Sequence, residues 1–70
     1  MNEQERLEAI RTIAAATRIL GQLGDMKKLD RFLQTIGYLS HHNDSVRAAA
    51  GGQISRDIWQ AEEINAMVGK

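Results

Sequence analysis

Residues 20–33 read LGQLGDMKKLDRFL, and the change of pattern inside this stretch decides the architecture. On its N-terminal side, Gly21 and Gly24 are helix-stop signals, because glycine accepts the left-handed backbone that commonly closes a helix. Asp25 follows as an N-cap, a position where a short carboxylate accepts from the free N–H groups of the next helix. Beyond it, Leu29, Phe32, Leu33, Ile36 and Leu39 or Tyr38 form an apolar stripe at three–four spacing, which predicts a helix over about 25–40. Two helices joined by so short a link pack antiparallel.

Working outward, Leu7, Ile10, Ala14, Thr17 and Gly21, with Ile13 and Leu20 beside them, predict a first helix over about 2–22. Glu3, Glu5 and Glu8 put negative charge at its positive end. On the other side, His41, His42, Asn43 and Asp44 make a short polar connection, with Asn43 or Asp44 as the cap of a third helix over about 44–67. Its stripe is Val46, Ala50, Ile54, Ile58, Ala61, Ile64 or Asn65, and Val68. Gly51 and Gly52 lie inside that helix, at a cost of about 2 kcal/mol relative to alanine. Ala48, Ala49 and Ala50 extend the same small surface, so the pair is read as a place where another helix approaches closely. The expected fold is all-α, three antiparallel helices in a single domain over 1–70.

Composition narrows the function. The chain has 70 residues, nine basic and nine acidic side chains, a formal charge of zero, and neither cysteine nor proline. Without cysteine there is no disulfide framework, thiolate metal site or cysteine nucleophile. Charge neutrality argues against a general polyanion binder, which carries a basic surplus. At 43% apolar residues the chain can build a core, unlike a disordered tail. No apolar run approaches the ~20 residues of a membrane span, and the polar start MNEQERLE is unlike a signal peptide, so a cytoplasmic chain is expected. Domains below ~70–80 residues often draw stability from association, which favours a protein partner or a homo-oligomer.

An offset of 34 positions aligns Ala14–Ala16 with Ala48–Ala50 and Leu20-Gly21 with Ile54-Ser55. Together with the run Leu20 to Asp25, the paired Phe32-Leu33, and the run Asp44-Ser45-Val46-Arg47-Ala48-Ala49-Ala50, this resembles HEAT-like repeats of the phycobilisome-lyase type over about 12–55. Met26 and Ser45 stand near positions where that family usually carries proline. The resemblance implies roughly one and a half repeats, a scaffold that binds other proteins, and an Arg47 that pairs with acidic turn residues. It does not imply lyase activity in a chain of this length. A helical repeat cannot seal its apolar face alone, so something else is expected to cover the flanks.

The candidate sites follow from residue chemistry. His41 and His42 with Asp44 form one small group of possible metal ligands, but adjacent histidines diverge and the spacing is not that of a zinc site, so no metal or cofactor is expected. Ser40 and Ser45 near His41 and Asp44 lack an orienting third group, and Glu62 and Glu63 point to different helix faces, so no catalytic residues are assigned. Lys27, Lys28, Arg31 and Arg47 form the alternative, a patch on helices two and three for nucleic-acid phosphates. Asp30 and Asp44 interrupt it. Trp59 lies about 100° off the stripe through Ile54 and Ile58, either at the core edge or as an interface anchor. The expected contact surface is Ser55, Ile58, Trp59, Glu62 and Met67, on a non-catalytic interaction protein that self-associates or docks as an accessory or inhibitory subunit.

Overall fold

A computed structural model describes residues 1–68. Among these the chain is helical with no strand, in four segments rather than three: α1 (Glu3–Leu23), α2 (Met26–Ser40), α3 (Asp44–Ala49) and α4 (Gly51–Val68). The ends are set by local chemistry. Asn2 caps α1 in a reciprocal capping box, its Oδ1 accepting from the Glu5 N–H at 2.8 Å while the Glu5 carboxylate accepts from the Asn2 N–H. Gly24 closes α1 with φ +78°, the left-handed conformation anticipated for it, whereas Gly21 stays within the helix. Asp25 then caps α2 by accepting from Lys28 N at 3.2 Å. Asn43, not Asp44, caps α3, accepting from Ser45 N at 2.8 Å.

α1 is the central helix and packs along both α2 and α4, which touch one another more sparsely. Two contacts show that α1 and α2 run antiparallel. Arg6 Nη1 donates to the Leu39 carbonyl at 3.0 Å near one end, and a Cβ on Gly21 would meet Leu29 Cδ1 at 3.5 Å near the other. Thr35 on α2 meets Gln53 while the earlier Arg31 meets the later Asp57, so α4 runs antiparallel to α2. Asn65 Nδ2 also donates to the Thr12 carbonyl at 3.1 Å, fixing α4 to α1 late in the chain. Arg6 is held from behind by Glu3, accepting on Oε2 from Nε at 3.1 Å, and this hydrogen bond keeps the Glu3 carboxyl below its ordinary range.

Two expectations are corrected. The third helix is broken: Ala50 sits at φ −93°, ψ 7°, between α3 and α4. A Cβ placed on Gly51 or Gly52 would meet nothing within 4 Å, so no helix packs closely on the pair. Two glycines in succession weaken helix propensity enough for a bend, and the bend lets the short α3 touch both α2 and α4. Because Gly52 is helical, exposed and in open space, Gly52→Ala is expected to stabilise the fold by about 0.5–1 kcal/mol, raising the Tm by several degrees in a calorimetric scan.

The second correction concerns the buried face of α1. Its buried residues are Ala9, Ile13, Ala16 and Leu20, with Ile10 packed against them, while Leu7, Ala14 and Gly21 are exposed. At about 100° per residue, the buried face is turned roughly 110° from the stripe read in the sequence. The reason is that α1 must serve two neighbours, so the core lies between the sides facing α2 and α4. On α2 most of the expected stripe holds: Phe32 and Leu39 are buried and Leu29 and Ile36 pack against the core, but Leu33 is half exposed and Thr35 is buried in its place. On α4, Ile54 and Ala61 are buried as expected, Ile58 and Ile64 pack against the core, and Val68 is exposed.

Candidate functional site

Asp57 decides how α4 presents its outer face. It lies three residues after Ile54 and four before Ala61, within the apolar stripe, and is fully buried. Burying a carboxylate is tolerable only if it is paired, and α2 supplies the pairing. Thr35, itself fully buried, donates its hydroxyl to Asp57 Oδ2 and accepts from Gln53 Nε2 at 3.1 Å. Arg31 Nη2 stands 3.2 Å from Oδ1, an ion pair without hydrogen-bond alignment. These contacts lock the rotation of α4 about its axis. Trp59, two residues on and about 200° around, is therefore driven outward.

Trp59 is 62% exposed, which settles the two readings of this residue against a place in the core. Ser55 and Glu62 are exposed near it on the same face, and Ile58 is half buried between that face and the core. Met67 is exposed but lies two turns further on and about 80° around the helix, so it stands apart from the other four. Ser55 also lines an open cleft of about 400 Å³ at the α3–α4 bend, with Leu39, Arg47, Gly51 and Ile54 on its other walls. Tyr38 is half buried and packs against the core.

The four cations proposed as a nucleic-acid patch do not form one. Lys27 and Lys28 are in the first turn of α2, whereas Arg47 lies beyond its last, about 20 Å away along the axis. Arg31 is engaged by Asp57, and Arg47 is paired with Asp44 and donates to the His41 carbonyl, tying α3 to the end of α2. His41 and His42 stack with ring centroids 4.9 Å apart, and His41 Nδ1 accepts from the Asn43 N–H at 3.0 Å, so both rings are part of the turn. Among the described residues no three His, Cys, Asp or Glu side chains converge as a metal site. No described helix is long and apolar enough to cross a membrane.

Compared with protein families, curated proteins and solved structures, the chain matches none. Its function is therefore argued from its own surface.

Sequence reasoning missed Asp57 and Thr35 as the residues that orient this surface. A signal existed: Asp57 is the one acidic residue on a stripe otherwise made of Ile54, Ile58, Ala61 and Ile64. An acid at that register asks for a partner on another helix.

Proposed function

We propose that the chain is a small non-catalytic protein–protein interaction module, a HEAT-like unit of about one and a half repeats that acts in the cytoplasm. It self-associates or docks as an accessory or inhibitory subunit on a larger protein. The observation that carries the reading is the exposed indole of Trp59, held out by a helix whose rotation is locked from beneath. Tryptophan is over-represented among residues that dominate binding energy, and a rigid support lowers the entropy lost on binding. Ser55, Ile58 and Glu62 surround it with a small, an apolar and a charged side chain, which favours one apolar anchor within a polar rim.

The test pairs a pull-down from the native host with thermal melts of the same samples. Wild-type bait should capture a partner that the Trp59→Ala bait loses, with the two melting within about 0.5 kcal/mol of each other, as expected for an exposed site. Equal capture by both baits removes Trp59 from the contact. A collapse of the variant's melt would mean that the indole supports the fold instead.

A further inference from the structure

Two helix seams that the structure leaves exposed lie side by side, and both include residues the sequence marks as core (Leu7, Ala14 and Gly21 on α1, Leu33 on α2). On α1 the seam is Leu7, Ala14 and Gly21; on α2 it is Met26, Leu33 and Ser40. Each set is spaced by seven, the interval that keeps residues on one seam of a helix packed against another. Both seams lie on the side of the α1–α2 hairpin away from α4. On both helices, the residues that contact α4 lie on the opposite flank. The Arg6–Leu39 and Gly21–Leu29 contacts set a register in which level residues of α1 and α2 have numbers summing to about 47. Leu7 is thus level with Ser40, Ala14 with Leu33, and Gly21 with Met26.

We propose that this face pairs with a second copy of the chain about a two-fold axis parallel to the helices, α1 of each copy lying over α2 of the other. That operation keeps levels and exchanges helices, so at every seam position a large side chain meets a small one. Charge agrees with shape. Arg18 leans to the outer side of the α1 seam and Asp30 to the outer side of the α2 seam at nearly the same level, and neither forms an ion pair within the chain among the described residues. The two-fold brings Arg18 of each copy to Asp30 of the other, twice per dimer. Leu33 and Met26, 50% and 58% exposed, supply apolar area that is otherwise wet. The face measures roughly 25 Å by 20 Å, about 500 Å² per copy, which is small for a specific complex, so a weak dimer is expected. Trp59, exposed on α4, stays outside the contact, so the pairing rests on the self-association allowed by the proposed function but uses a different surface.

Sedimentation of the full chain over rising concentration is the test. Wild type should dimerise. Arg18→Asp and Asp30→Arg should each weaken dimerisation tenfold or more, because each sets like charges opposite one another twice. An equimolar mixture of the two variants should recover the dimer as a heterodimer, since each then meets an opposite charge. Ala14→Glu, at an exposed helical position that keeps the fold, should weaken it as well, whereas Trp59→Ala should leave it unchanged. A wild-type chain that stays monomeric to about 1 mM overturns the proposal, as does a mixture no better associated than its components. Loss of the dimer in Trp59→Ala would move self-association to α4.

Discussion

Phe32→Ala is expected to remove about a third or more of the folding free energy and, at the low end of the stability range, the folded state itself. Phe32 is the largest fully buried side chain, and the rest of the core is made of Ile13, Leu20, Leu39, Ile54 and three alanines. Truncating a buried phenylalanine costs about 3–5 kcal/mol through lost transfer energy and the cavity left behind. A domain of 70 residues has on the order of 4–10 kcal/mol to lose. With three alanines lining the core, few long side chains are available to collapse into the space. The measurement is a urea titration followed by helical circular dichroism, with Leu33→Ala as comparison. That neighbouring leucine is half exposed, and its loss should cost about 1 kcal/mol or less. A Phe32→Ala protein that kept the parent's midpoint would show that packing at the α1–α2–α4 junction is not what holds the bundle.

The second large effect is electrostatic. Arg31→Met removes the cation facing the fully buried Asp57 and leaves the carboxylate with Thr35 as its remaining hydrogen-bond partner. Breaking a buried pair typically costs about 3–5 kcal/mol. Because the Arg31 side chain is 40% exposed, solvent already screens part of the attraction, and about 2 kcal/mol is expected. Adding Asp57→Asn to that background should restore most of the loss, since a neutral amide of the same shape keeps an acceptor for Thr35. In a double-mutant cycle the two changes should therefore be strongly non-additive. Additive losses would place the role of Arg31 elsewhere on the surface. Loosening this joint should also let α4 rotate, so the fluorescence of the single tryptophan offers a second readout.

The proposed functions divide the surface. The Trp59 side of α4 is assigned to a partner protein, and the α1–α2 seam to a second copy. A two-fold pair would carry two outward-facing Trp59 residues, so a partner with two sites would bind such a dimer more tightly than the monomer through effective concentration alone.

The sequence by itself determined an all-helical chain and where its first two helices begin and end, but not the break that divides the third. Gly24, Asp25 and Asn43 act within a few residues of themselves, through a left-handed turn or a side chain reaching a nearby N–H, so their roles were readable without knowledge of the rest of the chain. The same locality made the antiparallel α1–α2 hairpin legible. Tertiary structure alone decided which side of each helix is buried. α1 carries apolar residues around more than half its circumference, so periodicity permits two burial directions, and only the positions of α2 and α4 choose Ala9, Ile13, Ala16 and Leu20 over Leu7, Ala14 and Gly21. Likewise, the Gly51-Gly52 pair could mean a close approach or a bend, and only the open space around it distinguishes them. Asp57 is the sharpest case. Its burial depends on Arg31 and Thr35, more than twenty residues earlier on another helix, and that dependence turns Trp59 outward. Helix ends are local because hydrogen bonds at a terminus are short-ranged; helix rotation is global because burial is settled only when all the neighbours are in place.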